Sequence, residues 1–237
     1  MNPTVHAVGL RIEKLVFAIA SIVLLPVAAI AAEEPFRCPV TGIQVTGWST
    51  EERDRVCSAS AAAIAFLRAA GLAYRVDDLT IRPLPPGDAQ EGQPVIGCCN
   101  MLRNEILVLT YDDAVVASRK YPPAFGMPMS PALWQSFVSH ETAHAVAEQN
   151  FAVGVRRQTA SEYIAMVVQL ATLPPDLRKV ILDHYDAKGF DDASEISMIL
   201  YDFDPAVFAV KAYRHYTALG DRGPAFIARL LREGLDQ

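Results

Sequence analysis

The sequence predicts an α+β protein: a small mixed or antiparallel N-terminal sheet with helices, then a mainly α-helical C-terminal half. Three observations carry that expectation. Short runs with strand character end by Tyr111 and are separated by Gly, Pro and Asn. A long helical run, opened by a cap and closed by a glycine, lies among them. From Ser130 onward the apolar residues recur at helical spacing.

In chain order, Arg11 and Lys14 lead into an uncharged run of 18 residues from Leu15 to Ala32, and Ala29-Ile30-Ala31 offers small residues for cleavage. This reads as a signal peptide over residues 1–31. The run approaches the length of a membrane span, but Pro26 and the alanine-rich end favour cleavage, so no stable membrane insertion is expected afterwards. Residues 32–237 then form one domain, with a sheet-containing part at 32–129 and a helical part at 130–237. The expected compartment is periplasmic or extracellular. Ile43 to Thr46 is a short strand. Ser49 and Glu52 make a capping box for a helix through Ala70, stopped at Gly71. Leu79 to Leu84 is a strand, and a polar loop runs from Pro85 to Pro94. Val95 to Met101 and Glu105 to Tyr111 form a hairpin turning near Arg103-Asn104. Tyr121 to Met129 lacks regular spacing and is a candidate lid.

Ser130 is a good N-cap, Pro131 suits a first helical turn, and no Gly or Pro occurs from Ala132 to Phe151. A second run, Ser161 to Leu170, ends before Pro174-Pro175. The turn between them is at Val153-Gly154-Val155.

Without the targeting segment, Arg11, Lys14 and Glu13 are lost, leaving 19 basic against 26 acidic residues and a net charge of −7. There is no basic block, which argues against a nucleic-acid partner and tolerates cationic peptides. The 4 cysteines are Cys38, Cys57, Cys98 and Cys99. A bond between adjacent cysteines is strained, so Cys98 and Cys99 are each expected to pair with Cys38 or Cys57 as structural staples. Zinc binding by Cys98 and Cys99 is disfavoured, because adjacent strand residues point to opposite faces.

The chemistry concentrates in His140-Glu141-Thr142-Ala143-His144. Histidines four apart lie on one helix face, so both imidazoles reach one zinc ion while Glu141 reaches a water beside it. A catalytic zinc needs a third protein ligand. Ala147 and Asn150 occupy the places where one zincin branch carries Gly and a third His, which excludes that branch. Glu148 lies roughly 12 Å along the helix from His140, at about 1.5 Å per residue, too far to join the same coordination sphere. Glu162, opening the second helical run, is the candidate.

With that pair of helices the chain resembles the gluzincins, zincin metallopeptidases whose third ligand is a glutamate on the next helix. The separation from His144 to Glu162 is about one residue shorter than in aminopeptidase-like members. It is also similar to uncharacterised small secreted bacterial proteins in which the HExxH helix is followed by Glu-Tyr-(Ile/Val)-Ala. The resemblance covers His140 to Leu170. It implies a zincin-like fold, Zn²⁺ held by His140, His144 and Glu162, and Glu141 as general base. It also implies a Tyr or His that hydrogen-bonds the oxyanion; Tyr213, His215 and Tyr216 are on offer, with Tyr213 and His215 as the choice. The same stretch has the helical spacing of a packing stripe. Asp191, Asp192, Glu195 and Asp202 are candidates to orient the ligand imidazoles. In zincins the strand before the active-site helix edges the cleft, which implies that role for Glu105 to Thr110.

The function expected is a secreted zinc metallopeptidase acting on a peptide or protein substrate. The alternative is a non-catalytic zinc-binding protein, or a disulfide-stapled interaction protein, of the cell envelope.

Overall fold

A computed structural model describes residues 35–75, 78–85, 96–120 and 124–235; the expected signal peptide and nearly all of the Pro85–Pro94 loop lie outside them. Strand β1 (Phe36–Arg37) turns back into β2 (Gln44–Val45). Helix α1 (Thr50–Ala69) follows, capped by the Ser49 hydroxyl, which accepts from the Glu52 N–H at 3.3 Å. The Glu52 carboxylate also accepts from the Tyr111 N–H at 3.1 Å, tying α1 to the start of α2 (Tyr111–Lys120). Strand β3 (Thr80–Pro83) precedes a hairpin of β4 (Gly97–Asn100) and β5 (Glu105–Val108). That hairpin turns through Asn104, whose φ of 49° is a left-handed conformation asparagine tolerates.

The sheet is mixed, in the order β1-β2-β3-β5-β4. Strands β2, β3 and β5 run parallel, and β1 and β4 flank them antiparallel. This corrects one expectation. Strand β5 is not the edge facing the active-site helix: it is paired on both sides, and β4 holds the edge. The reason is burial, since Ile106 and Val108 of β5 are fully enclosed whereas Gly97-Cys98-Cys99-Asn100 stays half-buried.

The helical half contains α3 (Pro131–Glu148), α4 (Gln158–Thr172), α5 (Pro175–His184), α6 (Met198–Phe203), α7 (Pro205–Leu219) and α8 (Gly223–Glu233). Helix α3 is the core of the molecule, packed by α1, α4 and the end of the sheet. It is enclosed nearly all round, as a central helix must be. Its buried hydroxyls are absorbed by backbone carbonyls: Ser136 donates to Leu133 at 2.7 Å, Thr142 to Val138 at 2.7 Å, and Ser139 to Ala59 of α1 at 3.1 Å. The Trp134 indole donates to the Leu109 carbonyl at 2.8 Å, locking α3 to the strand end.

A second correction concerns the cysteines. Cys38 pairs with Cys57, with Cα atoms 5.3 Å apart, fastening the β1–β2 turn to α1. Cys98 and Cys99 remain thiols. Edge strands β1 and β4 lie four strand spacings apart, roughly 19 Å, beyond the reach of a disulfide. The candidate lid is also placed elsewhere. Among its described residues Phe125 is buried, and Gly126 abuts His184 of α5 so closely that a Cβ would come within 2.8 Å of Nε2. Among the described residues no helix is long and apolar enough to cross a membrane, and the disulfide is compatible with a secreted protein.

Candidate metal centre

The Ser130 hydroxyl accepts from the Leu133 N–H at 3.2 Å and starts α3, with Pro131 in its first turn. That phase puts Ser136, His140 and His144 on one face, four residues apart. Helix α4 comes back across this face and brings Ser161, Glu162 and Gln169 to it. The Nε2 atoms of His140 and His144 are 3.0 Å apart, and each is 3.6 Å from Glu162 Oε2. The side chains are 8%, 15% and 17% exposed, enough burial to desolvate the trio while leaving one side open.

These three groups can hold a metal ion. Glu162 Oε2 is buried with no hydrogen-bond donor, a position that costs free energy unless a cation meets it. Burial, reinforced by the neighbouring His144, drives His140 down to about 3, so its ring is neutral with a lone pair to give. Burial opposes charge on Glu162 too, but the neighbouring His144, with His140 beside it, outweighs that and holds the carboxyl at about 2. Burial likewise opposes charge on His144, and the nearby Glu162 carboxylate raises it despite that. Glu141 is different: burial pushes it up to about 7, with His144 pulling the other way.

The trio opens onto a cleft of about 490 Å³. Gly97, Cys98 and Cys99 of β4 form one wall, and Glu148, Arg157 and Ser161 contribute to the other. Gly97 lies directly on the catalytic candidate: a Cβ there would meet Glu141 Cγ at 2.8 Å and Oε1 at 3.0 Å. Glu148 is held by Arg157 at 2.7 Å and stays out of the ligand set, as its distance along the helix requires.

Residues 43–234 match the model of a family of unknown function (DUF6639). The chain belongs to this family. The match runs from β2 to the end of α8 and so takes in every element that builds the cleft. No curated protein and no solved structure matches the chain.

Not every residue expected at the site is brought to it. Tyr213 and His215 of α7 are not in the cleft lining. Tyr213 lies under the Arg178 guanidinium, 5.6 Å from its ring centre. His215 is buried, with Nδ1 2.7 Å from the Tyr163 hydroxyl and Phe226 stacked edge-on at 4.8 Å, so the stripe packs instead of facing substrate. The acidic candidates are also used elsewhere. Asp192 accepts from the Ser194 N–H at 2.8 Å, and Glu195 pairs with Lys211 at 3.6 Å. Asp191 and Asp202 do not line the cleft either. In their place the structure brings in three residues that sequence reasoning passed over. Tyr201 of α6 lines the cleft beside Glu162. Ser161 shares a 2.7 Å hydrogen bond with His144 Nδ1, and Gln169 lies beside His140. Ser161 adjoins Glu162, and Gln169 follows it at i+7 on the same helix face. That spacing was a usable signal. Tyr201, on a separate short helix, had none.

Proposed function

We propose that this protein is an exported zinc-dependent hydrolase, and specifically a metallopeptidase. The observation that supports this reading is the convergence of two imidazoles and a carboxylate from successive helices, with a second carboxyl, that of Glu141, beside them and a cleft in front. Two His and one Glu, with a position left for solvent, are the donor set of hydrolytic zinc sites. Zinc bound there supplies Lewis acidity that activates water and polarises a substrate carbonyl. His140, His144 and Glu162 carry one negative charge between them, which leaves the centre a net positive charge.

The remaining work belongs to the chain's own side chains. Glu141 is 6% exposed and does not belong to the ligand trio. Its carboxyl, its proton affinity raised by burial, is the group placed to accept a proton from water and return it to a leaving amine. The Tyr201 phenol is kept protonated, first by burial and then by the charge of Glu162, and remains a donor at the cleft wall. It takes the oxyanion-facing role that sequence reasoning assigned to Tyr213 and His215. Strand β4, the last in the sheet among the described residues, is where an extended peptide would lie along the cleft, the part once expected of β5. Export follows from the signal-like N-terminus.

The test pairs metal analysis with turnover. Purified protein should carry one zinc per chain and cleave members of a peptide library. Glu141→Gln should keep the zinc and lose about 10²–10⁴-fold in rate. Unchanged activity in that variant, or a wild-type protein without stoichiometric metal, rejects the reading.

A further inference from the structure

Helices α3 and α4 pack antiparallel, and their facing polar residues form successive rungs. At one end His144 Nδ1 meets Ser161 Oγ at 2.7 Å. Glu162 closes on both Nε2 atoms in the middle. At the other end Gln169 Nε2 donates to Ser136 Oγ at 3.3 Å, and that hydroxyl donates on to the Leu133 carbonyl at 2.7 Å. His140 is one helical turn from Ser136 and one from His144, so it lies between the end rungs.

The Ser136 contact decides which branch of the Gln169 amide is nitrogen. Ser136 Oγ has given its proton to Leu133, so it can only accept, and the branch facing it must be the NH₂ group. The Gln169 oxygen is therefore on the other branch. That oxygen is buried and no hydrogen-bond donor meets it. His140 Nδ1 is also buried, with no acceptor. Two orphaned atoms of opposite polarity thus lie in one enclosed region, on residues that interact with each other. Leaving both unsatisfied carries the penalty of buried polar groups without partners, which Gln169 Oε1 accepting from His140 Nδ1–H removes.

We infer that Gln169 and Ser161 are positioning residues that fix the tautomers of the two ligand imidazoles. Gln169 Oε1 accepts from His140 Nδ1–H and Ser161 Oγ from His144 Nδ1–H, so that both Nε2 lone pairs face the cation. The inference rests on the metal-centre reading and adds a chemical distinction. Both orienting groups are neutral, where metal-bound histidines commonly lean on carboxylates. Neutral acceptors fix ring orientation while raising the basicity of the ring less than a carboxylate would, so the cation keeps more of its positive charge.

The test reads zinc affinity alone, by competition with a chromogenic chelator, in Gln169→Met, Gln169→Glu and Ser161→Ala. Gln169→Met keeps the volume and removes the acceptor, and should weaken zinc binding 10–100-fold. Gln169→Glu restores an acceptor and should bind zinc at least as tightly as wild type. Affinity within twofold of wild type in Gln169→Met overturns the inference. So does an equal loss in Met and Glu variants, because packing alone would then explain it. Ser161, nearer the open cleft, is the safeguard should Gln169→Met fail to fold. Ser161→Ala is expected to lose about tenfold, and an unchanged affinity there counts against the inference. Peptide turnover does not enter these readouts. A chain that binds zinc, shows the Gln169 effect and cleaves nothing overturns the hydrolase proposal only. An active enzyme indifferent to Gln169 overturns this inference only, and a wild type that binds no zinc overturns both.

Discussion

Glu141 and Gly97 meet with no room to spare, and the contact ties the proposed base to the cleft wall. Any side chain at Gly97 would push either on the stem of the Glu141 carboxylate or on the edge strand. Gly97→Ala is therefore expected to bind zinc as wild type does, lose about 1–3 kcal/mol of stability from overpacking, and fall roughly 100-fold in turnover through misplacement of the base. Chelator competition, denaturant melts and peptide assays on one preparation check all three, and full activity would show that Glu141 adapts freely. At this scale the site was legible only where function and spacing coincide. His140, Glu141 and His144 share one helical phase, and Glu162 opens the next helix. Gly97 and Tyr201 reach the same cleft from distant segments, and nothing in their neighbouring residues marks them.

Between elements, a buried polar contact joins α4 to α7 within otherwise apolar packing. Tyr163, next to Glu162, bonds His215 of α7 inside a ring of aromatic side chains. Burial, with Arg229 adding to it, lowers the pKa of His215, so the native state prefers the neutral ring. A histidine whose folded pKa lies below its unfolded value, about 6.5, contributes fully above that pH. Its contribution is lost as pH falls from there toward the folded pKa. Urea midpoints of wild type should drop between pH 7.5 and pH 5, and His215→Gln should drop less over the same interval. Equal slopes would mean the ring is not held neutral. The element scale also explains the misjudged edge. Strand existence could be inferred from composition, but the order β3-β5-β4 depends on which hairpin strand carries the apolar pair Ile106 and Val108.

For the whole molecule, one covalent tie joins the N-terminal turn to α1, closing a loop between positions 19 apart. On a chain-entropy account, a loop of this size stabilises the fold by about 3 kcal/mol. Cys38→Ala with Cys57→Ala should lower unfolding free energy by about that amount without displacing zinc, since neither residue approaches the metal trio; zinc loss together with the disulfide would contradict this separation. The same scale sets apart what sequence alone determined. Helix phase, caps and breaks are local, and they determined α1, α3, α4 and the two histidines with their glutamate. Fold class followed from the order of those local signals. Tertiary structure alone decided which cysteines meet, which strand is left at the edge, that Tyr213 and His215 pack away from the cleft, and that Tyr201 stands beside Glu162. Those outcomes depend on contacts between distant segments, and their geometry exists only once the core around α3 has closed.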